Sequence, residues 1–436
     1  MKAPINADGL RVRVKTAQRD QVTMHLHTLD ELIREDHPVR SVWRYVESLD
    51  LSKFYREIQA VEGGVGRDAV DPRILLALWL FATIEGVGSA RRLAELCTRD
   101  FAYLWICGEV TVNRDMLNSF RSNHPEELDA LMTQTIGLLL HHDLVSLTRV
   151  AQDGMRVRAS AGTNSFRRQQ TLEEHLQAAR KQVERMRQEG DDDQAGRSRQ
   201  EAARQRAAQE RLARLEAAIA EREKLQRQKD QQPGNKEKPK NQARASMTDP
   251  EARVMKMADG GYRPAYNVQY ATAAGSRVIV GVAVTNVGAD SGQMEPMVDQ
   301  LEQNFQRLPQ EYLADGGFSS RDDTTRLEQR GVKVYAPLKK EQKLLEQGQD
   351  PYARQRHDSD EYYAYRQRMK TDAAKEIYKQ RSSIAEFPNA GCRNRGLQQF
   401  VLRGLKKTRI VAVWQALAHN LRMIIYHRWL PNICSV

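Results

Sequence analysis

Residues 312–320 read YLADGGFSS. Tyr312, Leu313 and Ala314 form an apolar run of the kind that ends a buried strand, so Asp315 is presented at a strand's carboxyl end. Gly316 and Gly317 behind it permit positive φ and close approach of other backbone. Ser319 or Ser320 then caps a helix that runs through Leu327 and stops at Gly331. Taken alone, Asp315 reads first as an ordinary turn aspartate.

The flanking segments supply the sheet. Downstream, GVKVYAPL at 331–338 is a further strand. Upstream, a helix around Met294 to Phe305 precedes the Asp315 strand, and Tyr266–Ala271 and Val278–Thr285 alternate across the turn AAGS as a hairpin. Residues 144–159, LVSLTRVAQDGMRVRA, alternate and are rich in β-branched residues, which predicts a strand or hairpin containing Asp153. Glu361–Ala385 and Thr408–Trp429 read as long helices. Strands alternating with helices in this order predict an α/β fold, a mixed sheet covered by helices.

Two segments stand apart from that sheet. Between Thr28 and Leu140 the apolar residues recur at helical spacing throughout, with Asp71-Pro72, Ser89 and Asn113 as helix starts. Short helices joined by tight turns and carrying Arg91, Arg92, Arg114 and Arg121 fit either a helix-turn-helix layout or a small bundle with a solvated basic face. Residues 171–229 are almost free of aromatics. Leu172, Leu176, Ala179, Val183 and Met186 follow a heptad rhythm, as do Ala208, Leu212, Leu215 and Ile219, and GDDDQAG at 190–196 separates the two sets. The pattern predicts a helical hairpin packed as an antiparallel coiled coil and trailed by a flexible basic tether, QQPGNKEKPKNQARA; a single solvated helix is the alternative. The domains are accordingly 1–143, helical and DNA-binding; 144–170 with 246–436, the α/β unit; and 171–245, the insertion.

Lys and Arg number 68 against 57 Asp and Glu, a net charge of +11 over 436 residues, which favours a polyanionic partner. No run of about 18 apolar residues occurs, so no membrane span is expected. Cys97, Cys107, Cys392 and Cys434 show no C-x-x-C pairing and read as reduced thiols in the cytoplasm. His25, His27, His141 and His142 lack a third ligand at zinc-motif spacing. No Walker-type loop and no G-x-S-x-G is present, which argues against an ATPase or a serine hydrolase.

Three acidic residues stand out by position: Asp153 within the first strand, Asp315 at the end of a later one, and Glu386 in YKQRSSIAEFPNAGCR near a helix end. Carboxylates on rigid neighbouring elements suit two-metal phosphoryl chemistry, in which two Mg²⁺ ions about 3.5–4 Å apart clamp the attacking and leaving oxygens.

The chain resembles the DDE transposases of bacterial insertion sequences. AQDGMRVRAS is similar to that family's first block, GGYRPAYNVQYAT to the strand block that follows, YLADGGFSS to the second Asp block, and YKQRSSIAEFPNAGCRNRGLQQFVLRGL to the Glu block. The resemblance implies a ribonuclease H-like catalytic domain. It assigns Asp153, Asp315 and Glu386 as catalytic metal ligands for two Mg²⁺ ions, with Mn²⁺ as a substitute. It also maps the family's Tyr, Arg, Glu and Lys onto Tyr378, Arg381, Glu386 and Arg393, with Tyr378, Arg381 and Arg393 on DNA phosphate. One more residue separates Arg381 from Glu386 than in the commonest form of the motif, and Arg393 stands where Lys is usual. Pro388 predicts a kink or break beside Glu386. The partner implied is double-stranded DNA, element ends and target, bound by a homo-oligomer. A nuclease on the same fold without strand transfer, and an inactive DNA-binding regulator, are the competing readings.

Overall fold

The computed structural model describes residues 26–56, 58–60, 68–191, 199–231 and 242–434. Among the described residues eight strands follow one another: β1 (Arg149–Arg158), β2 (Phe166–Arg167), β3 (Ala245–Ser246), β4 (Arg253–Lys256), β5 (Tyr262–Ala273), β6 (Ile279–Thr285), β7 (Glu311–Leu313) and β8 (Lys333–Tyr335). Six of them form one mixed sheet. β5 runs antiparallel to β1, and its other edge is shared end to end by β4 and β6. β1, β7 and β8 run parallel. The expected α/β architecture is present, with the hairpin, the two βα units and the capped turn where the sequence puts them.

The outer edge of β6 is closed by side chains. Asn420 accepts from the Ile279 backbone N–H and donates to its carbonyl, both at 2.8 Å, and Gln300 does the same for Val282 at 2.9 and 3.1 Å. These amides satisfy donors and acceptors that an open edge would leave available for pairing with another strand.

Among the described residues, seven N-terminal helices lie between Pro38 and His141. Their starts follow the sequence signals: the Asp71, Ser89 and Asn113 side chains accept from the N–H groups of Arg73, Arg92 and Met116. Each such cap is worth about 1 kcal/mol. The helices share one hydrophobic core with the sheet, because the Leu405–Tyr426 helix packs between them. Trp414 of that helix donates to the Arg121 carbonyl at 3.1 Å and stands 6.4 Å from the rings of both Trp79 and Phe120. On its other side, Tyr270 of β5 donates to the Ala412 carbonyl at 3.0 Å. Arg121 does not join a basic face: it is buried, lies over the Trp79 ring at 4.5 Å and donates to the Gly88 carbonyl.

The insertion is two helices, Gln169–Asp191 and Arg199–Asp230, packed side by side, not one solvated helix. Leu172, Ala179 and Val183 are buried against Ala208, Leu215 and Ala218, and Arg180 pairs with Glu216 at 3.1 Å. Phe166 pairs with Ser246 and Arg167 with Ala245, so the chain enters and leaves the insertion side by side through a separate two-stranded ribbon. Residues 192–198, which hold most of GDDDQAG, and 232–241, which hold most of the tether, lie outside the described residues, as does His25.

Two helix expectations are corrected. The segment 361–385 is not one helix: Asp360–Lys370, Asp372–Lys379 and Arg381–Asn394 follow one another, and the Thr371 side chain caps the second. Pro388 does not break the last of these. The helix loses one backbone bond there but buries Ile384, Ala385, Pro388 and Cys392 along one stripe, and that packing outweighs the lost bond.

Candidate active site

The odd-numbered side chains of β1 face the Arg381–Asn394 helix. Ala151, Met155 and Val157 are apolar and buried there, and Asp153 is the polar exception among them. Three donors hold its carboxylate: the Gly154 N–H reaches Oδ1 at 3.0 Å, the Arg381 guanidinium reaches Oδ1 at 3.3 Å and the Asn389 amide reaches Oδ2 at 2.8 Å. Burial pushes the Asp153 carboxyl above its ordinary range, against the pull of Arg381, Asn389 and the Gly154 N–H, while Asp315 adds to the rise.

Asp315 follows β7 by two residues. β7 pairs Glu311 with Arg149 and Leu313 with Ala151, and the same offset carried two residues on brings Asp315 level with Asp153. The turn after it is tight: the Gly317 N–H donates to the Asp315 side chain and the Phe318 N–H to its carbonyl at 3.0 Å. Neither Gly316 nor Gly317 adopts a positive φ, contrary to the sequence reading. Space at Gly317 is tight instead: a Cβ there would lie 3.0 Å from Asp315 Oδ1, so that carboxylate would have to give way slightly. Ser320, not Ser319, caps the following helix, and Gly331 ends it at φ +83°.

Arg381, the first residue of its helix, gathers the three acids. One guanidinium nitrogen lies 3.3 Å from Asp153 and 3.9 Å from Asp315, and the other lies 3.3 Å from Glu386. Asp153 and Asp315 can therefore be no further apart than those first two distances laid end to end. The Arg381 side chain is 11% exposed, Asp153 19%, Asp315 49% and Glu386 61%, so the cluster is anchored at Asp153 and opens to solvent on the Glu386 side. Tyr378 stands alongside: burial raises its phenol, Arg381 opposes, and Asp315, Asp153 and Glu386 add to the rise. Arg393 lies apart from the acids, exposed, on the wall of a groove that begins at Gly154.

The sequence reading missed two supports. Asn389 lies three residues past Glu386, one turn along the same helix, and that spacing is the signal that could have found it. On the opposite face of β1, Asp290 accepts from Asn267 at 2.7 Å, Gln269 at 2.8 Å and Arg156 at 3.2 Å. The α-carbon of Gly154 is pressed against this polar nest, where a Cβ would lie 2.6 Å from the Gln269 amide nitrogen.

Among the described residues no three carboxylate, imidazole or thiol groups stand as a ready metal cage. The three acids are instead held round a guanidinium, as oxygen-only donors of the kind that hard divalent cations take. No described helix is long and apolar enough to cross a membrane.

A transposase DDE domain matches residues 227–421, and a transposase domain, DUF772, matches residues 27–123. The first match takes in Asp315, Tyr378, Arg381, Glu386 and Arg393 and begins after Asp153. No curated protein and no solved structure matches the chain. The two domains make the chain a DDE transposase of the insertion-sequence type.

Proposed function

We propose that this DDE transposase cuts the ends of an insertion sequence and joins the freed 3′-hydroxyls to target DNA, with Asp153, Asp315 and Glu386 holding two Mg²⁺ or Mn²⁺ ions. The observation that carries the reading is the convergence of these three acids on Arg381. Asp153 lies on β1, Asp315 two residues past the neighbouring parallel β7 and level with Asp153 by the same offset, and Glu386 on a helix packed over them. A ribonuclease H-like arrangement is supported by the strand pairing, in which β5 and β6 run antiparallel beside β1 and β7 and β8 run parallel on its other side.

DDE transposases in general use divalent metal ions, which when bound supply Lewis acidity at the attacking and leaving oxygens of an in-line displacement at phosphorus. The chain's own residues divide the remaining work. Asp153, fixed by Asn389 and the Gly154 N–H, is the rigid ligand. Asp315 and Glu386, more exposed, adjust to it. Arg381, Tyr378 and Arg393 bind and orient the DNA phosphates. Residues 1–143 bind DNA, residues 144–170 with 246–436 form the catalytic domain, and the coiled-coil hairpin within 171–245 projects from it. Two element ends require two active sites, so the working form is a homo-oligomer on DNA in the cytoplasm.

The test is cleavage of duplexes carrying the element's own ends, in Mg²⁺ or Mn²⁺, followed by joining to plasmid DNA. Wild-type protein should yield both products, while Asp315→Ala should yield neither and keep DNA affinity. Cleavage without joining would leave a nuclease on this fold, and wild-type cleavage by Asp315→Ala would remove Asp315 from the site.

A further inference from the structure

The groove that begins at Gly154 has a volume of about 550 Å³, and its lining is dominated by cations: Arg156 and Arg158 on β1, Lys256 and Arg263 on the β4–β5 ribbon, and Arg393 on the opposite wall. Two are already engaged by acids, Arg156 with Asp290 at 3.2 Å and Arg263 with Asp259 at 2.6 Å. Arg158, Lys256 and Arg393 are exposed, and no carboxylate among the described residues pairs with them.

We infer that Arg158 and Lys256, with Arg393 facing them, hold the sugar–phosphate backbone of DNA along one flank of the cleavage point, without reading its sequence. The inference rests on the proposed function, since it takes the Asp153 cluster as the cutting site. Gly154, the next residue after Asp153 in β1, is among the residues that line the groove, so its lining comes within one residue of the acid cluster. From Gly154 to Arg158 the floor runs about 13 Å at roughly 3.3 Å per residue. Measured along a duplex axis at about 3.4 Å per nucleotide, that length spans about four nucleotides, so the site fits a polyanion better than a single small anion.

The lining also says what is not recognised. Among the described residues no aromatic side chain lines the groove for a base to stack on, and Gln398 is the one amide side chain there. Backbone contacts position nucleic acid without specifying it. Gly154 is held to glycine by the Asp290 nest on the opposite face of β1, which fills the space a side chain there would need.

The measurement is DNA affinity in Ca²⁺ against salt for wild type, the double variant Arg158→Gln/Lys256→Gln, and the charge-keeping pair Arg158→Lys/Lys256→Arg. Both positions are exposed, and thermal melts check that each protein is folded. The Gln pair should lower the slope of log K against log salt by about 1.8, at about 0.9 per phosphate contact, and weaken binding to unrelated duplexes by the same factor as to element ends. The charge-keeping pair should restore both. Duplexes with single neutral methylphosphonate linkages locate the contact: those within about four nucleotides on one side of the cut should weaken wild type and leave the Gln pair unaffected. An unchanged slope, a loss confined to one base sequence, or methylphosphonate effects that persist in the Gln pair would each overturn the inference. Because binding is read without turnover, a failure of metal-dependent cleavage in wild type strikes the proposed function and leaves the groove result standing.

Discussion

Arg381 lies 3.3 Å from Asp153, and the same guanidinium holds Asp315 and Glu386. One fixed positive charge thus keeps three like charges together, and a divalent cation entering the cluster competes with it. Two unit charges about 4 Å apart exchange on the order of 4 kcal/mol near a protein surface. Even a third of that makes Arg381→Gln bind Mn²⁺ about tenfold more tightly in the absence of DNA. Isothermal titration of the free protein reads this directly. Cleavage should nonetheless fall, because the variant has no guanidinium to turn to the DNA phosphate. Mn²⁺ affinity equal to that of wild type would mean that Arg381 does not compete for the site.

Gly154 separates the Asp153 face of β1 from the Asp290 nest. Gly154→Ala places a methyl against Asp290, Gln269 and Asn267, whose amides are hydrogen-bonded and cannot retreat cheaply. Overpacking of this kind costs about 1–3 kcal/mol. Gly162→Ala, with nothing within 4 Å of its Cβ, serves as the control and should be nearly neutral in urea denaturation. Equal stability of the two variants would show that the nest gives way.

Local signals carried most of the fold. The caps at Asp71, Ser89, Asn113 and Ser320 and the stop at Gly331 are written in single residues, because each meets a backbone demand within one turn. Asp153 and Asp315 were legible because strand patterns placed them, and the pairing of β1 with β7 brings them level. What failed depends on partners distant in the chain. Arg121 reads as a surface cation until Trp79 is seen beneath it, and Asn389 as a polar helix residue until Asp153 is seen across from it. Asp290 carried no local pattern at all; its three donors come from β1 and β5.

The inserted hairpin has a small core of its own, Leu172, Ala218 and Ala245, separate from the one shared by helices and sheet. Replacing residues 169–243 by a short Gly/Ser linker keeps the pairing of Phe166 with Ser246 and so should leave the rest folded, with a melting temperature changed by only a few degrees. If the hairpin serves assembly on paired element ends, sedimentation of the deleted protein with end duplexes should show one-end complexes alone. Paired complexes at wild-type yield would remove that role, and global unfolding would show that the hairpin supports the sheet.

His419 sets a pH limit on the Leu405–Tyr426 helix. Its Nε2 lies 2.8 Å from the Arg277 carbonyl, an acceptor only, which assigns the neutral Nε2–H tautomer. Burial lowers the imidazole from 6.5 to about 4, the Arg277 carbonyl opposes, and Arg395 and Arg422 add to the fall. As pH drops from 6.5 toward 4 the unfolded chain takes up a proton that the folded chain refuses, so the stability present above 6.5 is lost across that window. The loss is up to about 1.4 kcal/mol per pH unit. Burial raises the carboxyls of Asp153, Asp249 and Asp323, which gives these groups the opposite sign, but they are common to both proteins in a comparison with His419→Gln. That variant keeps an N–H donor for the Arg277 carbonyl and cannot titrate. Its stability relative to wild type, from urea denaturation, should be constant above pH 6.5 and rise steadily below it; a difference that does not change with pH would mean that the imidazole takes its proton without opening the helix.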